Sequence, residues 1–338
     1  AVTKFEDADY RELEAMYRGM KDTCSPEQLT VESDFLDGGR KELDFEDLLF
    51  ANAVADFGCS SFTVWGEASA TGDTLHGRNF DWAVDPEGTF LAAHMLKVYE
   101  STEENGARWA SVFVPTMAGC ITCVTEEGVG LTMHNVSGLE PAYDVDVSPR
   151  MFAARAAIAA TWRAEDVVTA AEDALEARRQ IVGNNLHLSF PVARSAGFGM
   201  GEVGGVVFEY DGGAAPDGQV TVRWPDEDGE MTRPDGIVAA NHYIKRRAPD
   251  TDGDSYDRLV SLRTAIEAGV PRGGLVADDG QAMLHAVENG YNGVTAHSIV
   301  VDTANRRIQL FVAGSESLPA PQTEPYHIDM DVLFGGLP

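Results

Sequence analysis

Gly58-Cys59-Ser60-Ser61-Phe62, followed nineteen residues later by Gly77-Arg78-Asn79-Phe80-Asp81-Trp82, decides how this chain is read. Thr71-Gly72-Asp73 between them is a turn signal, so residues 60–67 and 73–80 read as the arms of a hairpin. That hairpin delivers a thiol, a cation and a carboxylate to one point. A thiol reacts as thiolate, and Arg78 supplies the positive charge that favours it. Cutting the Gly58–Cys59 bond turns the α-amino group of Cys59 into a base with a pKa near neutrality, so no Cys–His motif is required. Asp81 then orients that amine. Gly58 leaves its own carbonyl open to attack by the thiol, in an N-to-S acyl shift followed by hydrolysis. The bland alternative is a buried cysteine after a helix-ending glycine, with Arg78–Asp81 as an ordinary ion pair.

Outward from the hairpin the pattern is regular. Residues 5–21 and 44–56 read as helices, the second with Asp44 at the N-cap and Asp47 three positions on. Strands are expected at 60–67, 73–80, 93–99, 108–114, 119–125 and 129–135. Two helices follow: one opened by Ser148-Pro149, with Ser as cap and Pro at the first helical position, and one over 164–179. Strands return at 186–195, 203–210, 219–224 and 236–241, then helices near 255–268 and 279–287, then strands at 296–302 and 306–313. This block order is buried by two antiparallel sheets with helices on each outer face, an α+β arrangement of four αββα layers. There are no repeats and no linker. Residues 59–338 read as one catalytic domain, with 1–58 as a helical leader packed on it.

The chain has 338 residues, 55 acidic against 25 basic, and a formal net charge of −30. Such a charge repels nucleic acid and anionic membranes. The acid is spread along the whole chain, which reads as adaptation to high salt. No apolar run approaches the length of a membrane span, and the charged N-terminal stretch is unlike a signal peptide. A soluble, cytoplasmic protein is expected, with a homo-oligomer left open. Cys120-x-x-Cys123 invites a zinc or thiol-redox reading. Placed on one strand, however, the two cysteines point to opposite faces, and no second pair completes a tetrahedral site, so they read as buried and structural. Asp250-Thr-Asp-Gly-Asp254 lacks the glycine and glutamate positions of a calcium loop, and Gly197-Phe-Gly-Met-Gly201 lacks a phosphate cradle. No metal or cofactor is expected. His134 and Asn135 alternate on a strand, so one of them faces the site, and Asn135 is favoured. His297 sits in an apolar strand and reads as structural.

The hairpin, with Gly130-Leu-Thr-Met-His-Asn135, Ala240-Asn241-His242-Tyr243 and Ser255-x-x-Arg258, resembles the autoproteolytic acyltransferase/hydrolase family of cysteine N-terminal-nucleophile (Ntn) enzymes. That family includes acyl-CoA:6-aminopenicillanic acid acyltransferase; penicillin V acylases and bile-salt hydrolases are more distant. The resemblance covers roughly residues 44–315 and implies the αββα fold. It also implies roles. Cys59 is nucleophile and, through its amine, base. Asp81 bonds that amine, and Arg78 lies beside the thiol. Asn241 donates into the oxyanion hole, Asn135 shapes or completes it, and Arg258 supports the site or contacts substrate. The cleaved leader would stay as a non-covalent subunit.

The reaction expected is cleavage of a small-molecule amide or acyl donor through a Cys59 thioester, released to water or an amine. N-acyl lipid amides or acyl-homoserine lactones are the alternative substrates. The rival of another class is an uncleaved, idle binding protein on the same fold.

Overall fold

In the computed structural model, Gly58–Val64 (β1) and Leu75–Trp82 (β2) pair antiparallel, with Cys59 opposite Phe80 and Ser61 opposite Arg78. The structure describes residues 2–32, 39–53, 58–82, 89–101, 106–136, 146–180, 183–195, 201–215, 218–227, 233–247, 253–288, 293–315 and 317–335. Gly77 lets the arms close: a Cβ there would lie 2.2 Å from the Phe62 ring, so only hydrogen fits beneath it.

The later strands are Met95–Glu100 (β3), Arg108–Phe113 (β4), Thr122–Thr125 (β5), Gly130–Val136 (β6), Gly183–Ser189 (β7), Gly205–Ala215 (β8), Gly218–Arg223 (β9), Gly236–Ala239 (β10), Val294–Asp302 (β11), Arg307–Val312 (β12) and Tyr326–Asp329 (β13). They form two antiparallel sheets. One has the order β10-β1-β2-β11-β12-β13, and the other β9-β8-β7-β6-β5-β4-β3. The helices are Asp7–Thr23 (α1), Phe45–Ala53 (α2), Arg150–Ala160 (α3), Val167–Glu176 (α4), Asp254–Gly269 (α5) and Ala277–Ala286 (α6). α3 and α4 cover the seven-stranded sheet, while α5 and α6 cover the six-stranded one. The four-layer αββα architecture is therefore present. Ahead of β1, α1 and α2 bring Leu13 and Leu48 onto Phe152 of α3.

Local chemistry explains several element boundaries. Asp44 and Asp47 cap α2 reciprocally, each carboxylate accepting the other's N–H at 3.0 and 2.9 Å. Asp166 caps α4 by accepting from Val168 and Thr169. The Ser148 cap expected for α3 does not form: Pro149 takes the cap position without a side-chain bond, and the Ser148 N–H goes to the Arg179 carbonyl. Strand β13 and the short helix Met330–Phe334 had no sequence expectation. The end of the 44–56 helix, residues 197–200 and residues 250–252 lie outside the described residues. No helix among the described residues is long and apolar enough to cross a membrane.

The layer between the sheets is apolar at one end, with Val112, Val124, Ile299, Val301, Ile308 and Leu310. At its centre it is polar. Ser61, Thr63, His76, Arg78, Thr122, Thr132, His134, His187 and His297 are all buried there. Buried polar groups need partners, and several of these bond to one another, although His76 Nε2, Arg78 Nε, His134 Nδ1 and His297 Nδ1 have no hydrogen-bond partner. Ser61 Oγ lies 2.9 Å from His134 Nε2 and 2.6 Å from His187 Nδ1; Thr63 Oγ1 lies 2.8 Å from both His187 Nε2 and His76 Nδ1.

Candidate active site

Cys59 has no solvent exposure. Pairing across β1 and β2 puts its side chain on the face shared with Arg78 and Phe80. The guanidinium of Arg78 occupies the space beside it. Nη2 donates to Cys59 Sγ at 2.9 Å and to the Met133 carbonyl at 3.0 Å; Nη1 donates to Thr122 Oγ1 at 2.5 Å and lies 3.0 Å from His297 Nε2. Arginine carries only donors. His297 Nε2 is thus an acceptor, which makes this ring neutral with its proton on Nδ1. Burial pushes the Cys59 thiol up to about 11, and the charge of Arg78 opposes that rise. The thiol therefore needs a base before it can attack.

The backbone of Cys59 is held as firmly as its side chain. Its N–H donates to Asn241 Oδ1 at 2.8 Å, and its carbonyl accepts from Arg258 Nη1 at 2.6 Å. Arg258 Nη2 also donates to Asn241 Oδ1 at 3.0 Å. Asn241 Nδ2 donates to the Asn135 carbonyl at 2.6 Å. Asp81 sits opposite Gly58 in the β1–β2 register. Its Oδ1 accepts from Thr295 Oγ1 at 2.6 Å, while Oδ2, 3.6 Å from Arg258 Nη1, has no hydrogen-bond partner. Burial raises the pKa of Asp81, and Arg258 opposes it.

The structure thus brings Cys59, Arg78, Asp81, Asn241 and Arg258 to one point. Arg258 was expected to support the site from outside or to meet substrate; it grips the nucleophile's own carbonyl. The Asn241 amide, expected in an oxyanion hole, bridges Cys59 and Asn135 in the continuous chain. Asn135 contributes its carbonyl, and its Oδ1 accepts from Arg150 Nη1 at 2.5 Å. His134 turns the other way, into the polar layer with Ser61. His242 Nδ1 lies 2.7 Å from Ser255 Oγ.

One sequence expectation is corrected. Cys120 precedes strand β5 instead of lying on it, so the opposite-face argument fails, and Cys120 and Cys123 form a disulfide. His297, read as structural, is buried on its strand and receives Arg78. Sequence reasoning also missed Thr122, Arg150 and two of the histidines between the sheets, His76 and His187. A signal existed in Asn185, His187 and Ser189, polar residues at alternate positions of an otherwise apolar strand.

The sequence matches no protein-family model and no curated protein. Solved structures do match. The Caenorhabditis elegans ortholog of N-acylethanolamine-hydrolyzing acid amidase superposes with a TM-score of 0.50 at 13% identity, over 80% of this chain and 100% of that one. A variant of conjugated bile acid hydrolase from Clostridium perfringens gives 0.50 at 10%, over 81% and 93%. Penicillin V acylase from Agrobacterium tumefaciens gives 0.47 at 18%, over 80% and 86%. The chain has the Ntn-hydrolase fold of the first two of these structures, which is the αββα fold that the motif resemblance implied.

Proposed function

We propose that this chain is a self-processing cysteine amidohydrolase. The observation that carries the reading is the placement of Arg78 Nη2 at 2.9 Å from Cys59 Sγ, with the unpartnered Oδ2 of Asp81 beside the Gly58–Cys59 junction. Arg258 Nη1 lies 3.6 Å from that oxygen without hydrogen-bonding to it, so Oδ2 keeps an acceptor position open for a second cation, and cleavage creates one, the α-ammonium of Cys59.

In the maturation step the thiol adds to the Gly58 carbonyl and the C–N bond to Cys59 breaks. This gives a Gly58 thioester and a free α-amine. Water then hydrolyses the thioester to the Gly58 carboxylate and the thiol. In turnover the α-amine takes the thiol proton, and Sγ adds to the substrate amide carbonyl. The ammonium returns the proton to the leaving amine, and water releases the acyl group as a carboxylic acid. Arg78 stabilises the thiolate, Asp81 holds the ammonium, and the Asn241 amide is within reach of charge developing at the carbonyl. A preorganised donor of that kind contributes about 3–4 kcal/mol.

An apolar acyl group is the favoured substrate portion. Cys59, Phe80, His297 and Val312 are successive cross-strand partners in one row of the six-stranded sheet. The row ends at a cavity of about 680 Å³ lined by Leu91, Met95, Leu96, Val112, Leu310 and Val312 among others. This cavity does not include Cys59; an apolar acyl chain, as in N-acyl lipid amides, suits it if the chain runs along that row.

The test is intact mass under denaturing conditions. Of 338 residues, 58 precede Cys59. A large piece beginning at Cys59 supports the reading, and a single chain that also fails to hydrolyse fatty-acyl 4-nitroanilides moves the binding-protein reading to the front.

A further inference from the structure

Asn241 lies on the turn that follows β10, and that turn is held from the opposite sheet. Asn185 on β7 and Glu209 on β8 are direct cross-strand partners in the seven-stranded sheet, and neither has any solvent exposure. Asn185 Nδ2 donates to the carbonyls of Ala240 at 3.0 Å and His242 at 2.7 Å, the two neighbours of Asn241. The Glu209 carboxylate accepts three successive backbone N–H groups: Ile244 at 2.8 Å, Lys245 at 3.0 Å and Arg246 at 2.5 Å. It also receives Arg223 Nε at 3.1 Å, while Arg223 Nη2 reaches back to the Val238 carbonyl on β10 at 2.7 Å. The N–H of Asn241 itself goes to Ser255 Oγ at 2.8 Å.

A buried carboxylate and guanidinium are costly to desolvate, and an apolar pair of equal volume often serves stability as well. What hydrocarbon cannot do is hold three N–H groups in a fixed line. These bonds set where the turn leaves β10, and with it the position from which the Asn241 side chain reaches the Cys59 N–H.

We propose that Glu209, seconded by Asn185, is a positioning residue for Asn241. The proposal rests on the reading of Asn241 as part of the amide-cleaving site. Glu209→Gln replaces one acceptor oxygen with a donor facing the N–H groups of the turn, so the turn shifts while Asn241 remains. Misplacement on the ångström scale costs on the order of a hundredfold in rate.

The experiment is a double-mutant cycle on the full chain with Glu209→Gln, Asn241→Ala and the pair. Its readouts are the rate of Gly58–Cys59 cleavage by intact mass, and kcat and KM for palmitoyl 4-nitroanilide per iodoacetamide-titrated Cys59. Glu209→Gln is expected to lower kcat about tenfold to a hundredfold with KM little changed, and to cost nothing further once Asn241 is alanine. Additive losses in the pair, or a full kcat per titrated thiol, would overturn the proposal while leaving the amidase reading intact. If Asn241→Ala alone retains wild-type rates, or the wild type neither cleaves nor turns over, the amidase reading fails and the proposal with it. Asn185→Ala leaves the Glu209–Arg223 pair whole and repeats the cycle should Glu209→Gln not fold.

Discussion

Arg78 donates to the Cys59 thiol from 2.9 Å, with both residues fully buried between the sheets. The guanidinium is a fixed part of the core, held by Thr122, His297 and the Met133 carbonyl as well as by sulfur. All of these contacts lie within the protein, so the fold itself places the guanidinium, which is what preorganisation requires.

Arg78→Met keeps an unbranched, flexible side chain and removes the guanidinium with its charge. Turnover is expected to fall at least about a hundredfold, the scale of losing a fixed electrostatic contact. Iodoacetamide labelling of Cys59 should shift to higher pH, because Arg78 opposes the rise that burial causes. An unchanged labelling profile would show that the arginine only fills space.

Stability should fall in mild acid. His76, His134, His187 and His297 are buried, and burial is the largest cause pushing each below the ordinary 6.5, His76 to about 3 and the other three well below. The folded chain holds them neutral, whereas the unfolded chain binds protons below its own pKa of about 6.5. Their contribution is complete above that pH and is lost progressively as pH falls below it, for His76 down to about 3. Each supplies a slope of about 1.4 kcal/mol per pH unit in that window. Urea midpoints between pH 7.5 and 5 measure it, and a flat profile would show that the rings do not stay neutral.

The Cys120–Cys123 bridge closes a four-residue loop around Thr122. On loop-entropy grounds so short a loop gives about 2 kcal/mol. Cys120→Ala with Cys123→Ala should lower the melting temperature by a few degrees and leave turnover per titrated Cys59 at the wild-type level. Abolished turnover in a folded double variant would instead assign the bridge to the chemistry.

Gly77→Ala should destabilise by about 1–3 kcal/mol through overpacking, since the new methyl meets the Phe62 ring at 2.2 Å. Adding Phe62→Leu should recover part of the loss, and calorimetry of the three variants reads the coupling.

Much of the arrangement was legible without coordinates. Period-two alternation and turn signals placed every strand of the two sheets except the edge strand β13, and the Asp44–Asp47 cap was readable from spacing alone. Cys59, Arg78 and Asp81 were legible because a hairpin is local: nineteen residues fold the cation back onto the thiol.

The sequence by itself therefore determined the layer pattern and the thiol, cation and carboxylate of the hairpin, since helix and strand periods and a short turn act over neighbouring residues. Only the tertiary structure decided what surrounds them. His297 meets Arg78 across β2 and β11, Thr122 meets it across the sheets, and Asn185 and Glu209 reach Asn241 from the far layer. Each of these is a pairing between distant segments, set by which polar groups must find partners once two sheets exclude water between them.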